Sequence, residues 1–226
     1  PVVNLQFRGI QLEHTKWDIP ATGYMGMAVC TTAVGGDPTP GWQWLPAALE
    51  FKHARSCRFL DGGVAHAGML GICLREGTES IAIEGNHVYD TGGGGIGAGY
   101  MENAAYGYVH APSPGPDEFS DYRIANNYVH DCGVEDYAGF GIQLAEAKNS
   151  IVSHNLIHDT AYFGMAIAGS QLNRQSPFAA NNSIEFNHIY RAMKSTVDGA
   201  GMYLTFSQQD RTCLVRGNLL HDITAN

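Results

Sequence analysis

The phrase Asn155-Leu156-Ile157-His158-Asp159 decides the fold, because the chain repeats its order of Asn, apolar, aromatic and charged residues. The other copies begin at Asn86, Asn127, Asn187 and Asn218, so successive copies start 41, 28, 32 and 31 residues apart. A repeat of this length that lacks amphipathic helix patterns is typical of a solenoid, in which each coil stacks on the next.

A second phrase, Gly-apolar-x-apolar, alternates with the first. It occurs as Gly71-Ile72-Cys73-Leu74, Gly95-Ile96-Gly97-Ala98, Gly141-Ile142-Gln143-Leu144, Gly164-Met165-Ala166-Ile167 and Gly201-Met202-Tyr203-Leu204. Each coil would therefore carry two or three short strands, which excludes helical repeats and propeller blades. We predict an all-β chain in which residues 1–226 form a single parallel β-helix domain with loop insertions. Because both ends of the sequence lie within the repeat pattern, we expect coils to be missing at each end.

The repeated Asn residues are predicted to be structural. Each follows a strand at a bend, and Asn tolerates the left-handed backbone region. Stacked Asn side chains can also hydrogen-bond from coil to coil as a ladder. Loop insertions are expected at residues 34–46, 100–122 and 171–181. The last two leave after a Gly-apolar-x-apolar strand, so we expect the binding surface on that flank.

Composition excludes several functions. The 13 basic and 22 acidic residues give a formal net charge of −9, whereas nucleic-acid binding needs clustered Lys and Arg. No apolar run approaches the roughly 18 residues of a membrane span. The five cysteines show no metal-binding spacing and are predicted to be buried thiols. We therefore expect no nucleic-acid partner, no membrane span, no metal and no cofactor.

The Gly-apolar-x-apolar strands also suggest a binding site. In each phrase the two apolar residues are predicted to face the core, so by strand alternation the residue between them faces outward. These residues are Cys73, Gly97, Gln143, Ala166 and Tyr203. Because most of these residues are small, this strip forms either a shallow trough or a surface covered by a loop.

Acidic residues border the strip, and glycoside hydrolysis needs two carboxyl groups, one to protonate the leaving oxygen and one to activate water or attack carbon. Asp198 breaks the repeat, because its equivalent in the other copies is Gly or Ala, so we predict it as catalytic, together with Asp159 and Asp136. Coil stacking would place Asp159 and Asp198 roughly 8 Å apart, in the inverting range. Asp159 also belongs to the repeated Asn phrase, so a turn role is the alternative. The predicted substrate-binding residues are Glu146, Gln143, Tyr162, Tyr203, Tyr100 and Glu102.

Several stretches together resemble a known group of proteins. They are Asn4-Leu5-Gln6-Phe7-Arg8-Gly9-Ile10, Asp90-Thr91-Gly92-Gly93-Gly94-Gly95-Ile96, His154-Asn155-Leu156-Ile157-His158-Asp159 and Asp198-Gly199-Ala200-Gly201-Met202-Tyr203. The chain resembles right-handed parallel β-helix proteins of carbohydrate breakdown, especially glycoside hydrolase family 141. The resemblance implies a secreted or periplasmic, fucosidase- or xylanase-like hydrolase that acts on carbohydrate. Its paired Asp residues would map to Asp198 and Asp159.

Two other functions stay open. A polysaccharide lyase or epimerase acting on a uronate would need basic residues, and Arg191 and Lys194 lie near Asp198 in the sequence. A non-catalytic carbohydrate-binding β-helix module is the third possibility. Basic residues are scarce on the strip, and a plain shaft would not carry asymmetric loops, so the hydrolase is preferred.

Overall fold

The computed structural model describes residues 1–19, 21, 31–33, 42–99, 119–168, 180–205 and 213–224. Every regular element among them is a β-strand, and the strands of consecutive coils pair in parallel. The prediction of an all-β parallel β-helix is therefore confirmed.

Three long sheets and one short sheet form the walls of the solenoid. The first sheet contains β2 (Gln6–Arg8), β8 (Arg58–Leu60), β12 (Ala82–Glu84), β16 (Arg123–Ala125), β19 (Ile151–Ser153), β22 (Ser183–Glu185) and β25 (Leu214–Arg216). The second sheet contains β3 (Gln11–Glu13), β9 (Gly63–Ala67), β13 (His87–Thr91), β17 (Tyr128–Cys132), β20 (Leu156–Thr160), β23 (His188–Tyr190) and β26 (Leu219–His221). The third sheet contains β6 (Ala47–Phe51), β10 (Leu70–Leu74), β14 (Ile96–Ala98), β18 (Ile142–Ala145), β21 (Met165–Ala168) and β24 (Met202–Thr205).

The short sheet contains β1 (Val2–Val3), β7 (Ala54–Arg55), β11 (Thr78–Glu79) and β15 (Phe119–Ser120). A separate pair, β4 (Thr31–Ala33) and β5 (Trp42–Trp44), is antiparallel. Each complete coil therefore runs through the first, second and third sheets in turn.

Stacked aliphatic side chains hold the coils in register. In the second sheet, Val88 pairs with Val129, and Ile157 pairs with Ile189 in the same row; all four are 0% exposed. Full burial of one such side chain stabilises the fold by about 1.5–3 kcal/mol. A one-residue slip of a strand would move these side chains to the opposite face, so the row fixes the register.

The repeated Asn residues form the predicted ladder. The side-chain Nδ2 groups of Asn86, Asn127, Asn155 and Asn187 each donate to the Oδ1 atom of the next Asn, over 3.1, 3.0, 2.9 and 2.9 Å. Asn218 is the last acceptor of the series. Each Nδ2 group also donates to a backbone carbonyl of the preceding coil, as Asn155 does to Ile124 at 3.0 Å. The structural role predicted for these residues is confirmed.

The bend beside the ladder differs from the prediction. The residue with left-handed backbone is the one before each ladder Asn, with φ between 55° and 69° at Gly85, Asn126, His154, Phe186 and Gly217. The ladder Asn residues contribute the hydrogen bonds of their side-chain amide groups and do not form the bend. The expectation that these Asn residues adopt the left-handed conformation was therefore wrong.

The strip on the third sheet is buried at four of its five positions, so the trough alternative is wrong at those four. Cys73, Gln143 and Ala166 are 0%, 1% and 2% exposed, and Gly97 is buried too, while Tyr203 is 38% exposed. Neighbouring atoms leave no room for a side chain at several positions near the strip, which explains the abundance of glycine there. A Cβ atom on Gly94 would lie 2.4 Å from Cζ of Phe140. The glycines allow close packing and do not bare a surface.

Three of the four cysteines that the structure describes are buried, as predicted. Cys57, Cys73 and Cys132 are buried, and Cys213 is partly exposed. Burial raises the pKa of the Cys132 thiol to about 12, so this group is unreactive at neutral pH. Cys30 lies outside the described residues.

Candidate active site

The chain turns in the same way at or near the C-terminal end of β9, β13, β17, β20, β23 and β26 in the second sheet. One residue per coil adopts a left-handed backbone with φ between 48° and 53°: His66, Asp90, Asp131, Asp159, Arg191 and Asp222. We call these six residues the turn column. Strand pairing places them at equivalent positions of successive coils, roughly 5 Å apart. Asp is common at such turns because its short side chain tolerates positive φ.

Two adjoining pockets follow the turn column, and we call them together the groove. The N-terminal pocket, of about 460 Å³, is lined by His14, Thr15, Lys16, Trp17, Asp18, His66, Ala67, Gly68, Asp90, Val134 and Glu135. The C-terminal pocket, of about 280 Å³, is lined by Asp131, Cys132, Gly133, Val134, Asp159, Ala161, Lys194 and Ser195. Val134 lines both pockets, so they lie next to each other.

The N-terminal pocket contains a histidine oriented by a carboxylate. His66 Nδ1 lies 2.5 Å from Asp90 Oδ2, and the ring of His14 stacks on His66 at 4.8 Å. Trp17 lines the same pocket and packs partly against the core. An imidazole held at Nδ1 presents Nε2 as the atom for proton transfer or hydrogen bonding.

The C-terminal pocket is built around Asp159. Arg191 Nε donates to Asp159 Oδ1 and Oδ2 at 3.1 and 3.0 Å, and its Nη2 donates to Oδ2 at 2.5 Å. Lys194 Nζ lies 3.0 Å from Oδ1, and His158 Nδ1 lies 2.6 Å from Oδ2. Burial by itself would raise the pKa of Asp159, but the donors from Arg191, Lys194 and His158 outweigh it and hold that pKa well below its usual range.

This environment limits what Asp159 can do. A carboxylate that keeps its charge at neutral and mildly acidic pH cannot donate a proton to a leaving group. It can stabilise developing positive charge or hold a water molecule. The predicted catalytic role of Asp159 therefore stays a prediction, and it is restricted to the role of the ionised carboxylate of the catalytic pair.

Asp136 lies in the turn between β17 and β18, where it is 3% exposed. Its Oδ1 accepts the backbone N–H of Ala138 at 3.0 Å, and its own N–H donates to the Gly92 carbonyl at 2.7 Å. These contacts fold the turn against the preceding coil. Contact with a sugar would require neighbouring atoms to move, and the catalytic role of Asp136 stays a prediction.

Asp198 is exposed in the turn that leads into β24. The turn is anchored to the preceding coil by backbone bonds from Met193 to Tyr162 and from Ser195 to Ala161, both 2.9 Å long. A Cβ atom on Gly199 would lie 2.6 Å from Cε2 of Tyr162, so this turn packs on that ring. The segment that carries Asp198 therefore lies beside Tyr162.

The structure joins two of the predicted substrate-binding aromatics. Phe163 stacks on Tyr162 at 3.8 Å and on Tyr203 at 4.7 Å between ring centres. Tyr203 is 38% exposed, so this cluster offers a partly exposed aromatic surface. Aromatic faces and edges of this kind are common in sites that bind largely apolar ligand surfaces.

The remaining predicted substrate-binding residues lie elsewhere. Glu146 and Gln143 are 4% and 1% exposed at the end of β18 and within it, so neither presents its side chain to solvent. Tyr100 and Glu102 lie outside the described residues. The binding role of these four residues stays a prediction.

The sequence analysis did not assign His66, Trp17 or the contacts of Arg191 and Lys194 to the site. The register of the repeat could have predicted one of these features, the contact between Arg191 and Asp159. Asp159 and Arg191 each stand four residues after a ladder Asn, at Asn155 and Asn187, so adjacent coils must bring them together. No comparable repeat signal marks Trp17.

The described part of the chain shows neither a multi-ligand metal site nor a membrane-spanning helix. It contains no group of three or more His, Cys, Asp or Glu side chains arranged to hold a metal ion. Within the same ranges, no helix has the length and apolar character needed to cross a membrane.

Solved structures with this architecture include carbohydrate-active enzymes. A glycoside hydrolase aligns over 99% of this chain with a TM-score of 0.78 and 20% sequence identity. A mutant of the periplasmic alginate epimerase AlgG aligns over 77% of this chain and 36% of its own, with a TM-score of 0.53 and 11% identity. The A-module of the Azotobacter vinelandii mannuronan C-5 epimerase AlgE4 aligns over 78% of this chain and 50% of its own, with a TM-score of 0.51 and 16% identity.

At these identities the likeness concerns the fold. The chain spans 40% of the length of the glycoside hydrolase. No curated protein sequence matches it. The family model described as the right handed beta helix region matches residues 101–226, which is more than half of the chain. The chain therefore belongs to the right-handed β-helix family.

Proposed function

We propose that the chain is the β-helix of a glycoside hydrolase that binds a neutral glycan in the groove along the turn column. The observation that carries the proposal is the charge of the groove. Its described lining contains five carboxylates, from Asp18, Asp90, Asp131, Glu135 and Asp159, and two lysines, Lys16 and Lys194. An excess of negative charge repels a uronate and is compatible with an uncharged sugar.

The groove also offers the contacts that a sugar needs. Trp17 lines one end of it, and Ala161 at the other end is followed in the chain by the first residue of the aromatic cluster of Tyr162, Phe163 and Tyr203. Carboxylates and His66 between these ends can accept hydrogen bonds from hydroxyl groups. Glu146, Gln143, Tyr100 and Glu102 remain proposed substrate ligands.

In the proposed reaction, Asp198, which stands three residues after the groove residue Ser195, donates a proton to the glycosidic oxygen as the bond to the anomeric carbon breaks. Asp159, kept ionised by Arg191 and Lys194, stabilises the positive charge that develops on the sugar. Water then adds to the anomeric carbon and its proton leaves to a carboxylate. Asp136 is the alternative second carboxylate and is tested by Asp136→Asn.

The structural neighbours support a carbohydrate substrate, since one is a glycoside hydrolase and two are epimerases of alginate or mannuronan. A secreted or periplasmic location belongs to the same proposal. One observation favours a lyase or epimerase as the second candidate: Lys194 lines the groove, and Arg191 stands beside it in contact with Asp159. Both cations, however, already contact Asp159, which reduces their attraction for a uronate.

The test is to incubate the full chain with neutral glycans, including xylan and fucosylated oligosaccharides, and with uronate polymers. We expect new reducing ends from a neutral glycan and their loss in Asp198→Asn. Asp121→Asn is the matched control, because Asp121 is exposed and lies between β15 and β16, on neither the second nor the third sheet.

Two results would contradict the proposal. Release of an unsaturated product from a uronate polymer would establish a lyase. Absence of cleavage of every glycan, with binding retained, would establish a non-catalytic module.

A further inference from the structure

The outer face of the second sheet carries an unusual density of imidazole and phenol rings. The rings of Tyr89, His130, His158, Tyr190 and His221 follow one another from coil to coil, with centres 4.6–5.3 Å apart. A second row beside it contains His87, Tyr128 and His188. Because these rings face each other, their edges and nitrogen atoms point outward or across to the other row.

Three of these imidazoles are oriented in the same way. Nδ1 lies 2.7 Å from Asp131 Oδ2 in His130, 2.6 Å from Asp159 Oδ2 in His158, and 2.8 Å from Asp222 Oδ2 in His221. A carboxylate at Nδ1 fixes the proton there and leaves the lone pair of the neutral ring on Nε2.

The Nε2 atoms of two of the three rings meet another imidazole. His130 Nε2 lies 2.8 Å from His87 Nε2, and His221 Nε2 lies 2.7 Å from His188 Nε2. In the coil between them, His158 Nε2 meets the hydroxyl of Tyr128 at 3.0 Å instead. The sheet therefore contains two equivalent histidine pairs, each joining neighbouring coils.

We propose that each pair, His87 with His130 and His188 with His221, is a binding site for a late first-row transition-metal ion such as Zn²⁺, Ni²⁺ or Cu²⁺. Two Nε2 atoms bound to one metal ion at about 2.0–2.1 Å lie about 2.8–3.0 Å apart in a square arrangement and about 3.3–3.4 Å apart in a tetrahedral one. The observed separations of 2.8 and 2.7 Å lie within about 0.1–0.2 Å of the square value, whereas a tetrahedral ion requires the two nitrogen atoms to move about 0.5 Å apart by side-chain rotation.

The Asp partner completes the chemistry of each site. A ligating histidine almost always donates its other ring N–H to a carboxylate or carbonyl, which fixes the ring and increases its basicity. Asp131 and Asp222 have this position. Because no third protein ligand stands within the described residues, water completes the coordination shell. The side chain of His221 is 43% exposed and that of His130 is 14% exposed, so the pair at His188 and His221 is the more accessible.

Metal bound at these sites would connect β13 to β17 and β23 to β26. An ion that binds the folded state and not the unfolded chain raises stability with its concentration. The proposed sites would thus link neighbouring coils on the outer face of the second sheet, and they do not depend on the hydrolase proposal.

The test is calorimetric titration of the full, tag-free chain with ZnCl₂, NiCl₂ and CuCl₂. We expect two bound ions per chain. His221→Gln and His130→Gln should each remove one, and the double variant should remove both. Asp131→Asn keeps both imidazoles and should weaken its site about tenfold or more.

The matched control is His154→Gln, because His154 is exposed and stacks on Phe186 with no second imidazole beside it. This variant should still bind two ions and show the same rise in Tm with metal as the parent. If His130→Gln fails to fold, His87→Gln removes the same pair and must abolish the same site. The proposal is overturned if the parent binds no ion, or if the His variants bind as many ions as the parent.

Discussion

Replacing Asn155 by Ala should be among the most destabilising single changes in the solenoid. The Asn155 side chain makes four hydrogen bonds: it donates to Ile124 O at 3.0 Å and to Asn187 Oδ1 at 2.9 Å, and it accepts from Asn127 N and Nδ2, both at 3.0 Å. At a net value of about 1 kcal/mol each, their loss amounts to about 4 kcal/mol. The residue is 1% exposed, so water cannot replace these partners without opening the coil.

The comparison variant is Asn218→Ala, at the end of the ladder. Its side chain makes three such bonds, to Ile184 O, Asn187 N and Asn187 Nδ2, and it is only partly buried. We therefore expect Asn218→Ala to cost about half as much as Asn155→Ala. Urea unfolding followed by circular dichroism measures both, with the m-value checked for each variant because solenoids can unfold in parts.

One result would refute this reasoning. If Asn155→Ala lowers the unfolding free energy by less than about 1 kcal/mol, or by no more than Asn218→Ala, the ladder bonds contribute little. The coils would then be held by their aliphatic stacks alone.

Further predictions concern packing, pH and the groove. Gly94→Ala should lower Tm measurably, since its Cβ atom would lie 2.4 Å from Phe140 Cζ and overpacking typically costs about 1–3 kcal/mol; an unchanged Tm would contradict the close packing. Burial, and then the neighbouring imidazole, lower the pKa of His87 in the folded chain, so its contribution to stability is complete above the ordinary value of 6.5 and is lost as pH falls below it. His87→Gln should therefore flatten the change in unfolding free energy between about pH 7 and pH 5, and a slope equal to that of the parent would contradict this. His66→Gln should lower kcat/KM for a neutral glycan by about tenfold while His154→Gln leaves it unchanged, and equal values would remove His66 from the site.

The fold could be predicted from the sequence because its determinants are local and periodic. The Asn phrase recurs at the coil length, and the apolar positions beside it alternate, so stacking and register follow. The position of the left-handed residue was missed because Gly85 and Phe186 share no side-chain type that marks it. Only the backbone path requires that conformation there.

The candidate site was less predictable, because burial depends on residues far apart in the chain. Strand alternation predicted that the side chain of Gln143 faces outward to solvent, but Gln143 is 1% exposed. The ion pairs of Asp159 were within reach of the sequence, since the repeat places Arg191 at the same position one coil later. Their effect on the pKa of Asp159 required the actual distances.

The groove is the central claim of the proposed function, and hydrogen–deuterium exchange tests its location most directly. The Asp198→Asn variant would be measured with and without a neutral xylo-oligosaccharide or fucosylated oligosaccharide. Binding in the groove predicts slower exchange at residues 14–18, 131–135 and 194–195, which line the two pockets. Protection confined to other parts of the solenoid, or none at saturating oligosaccharide, would contradict the account.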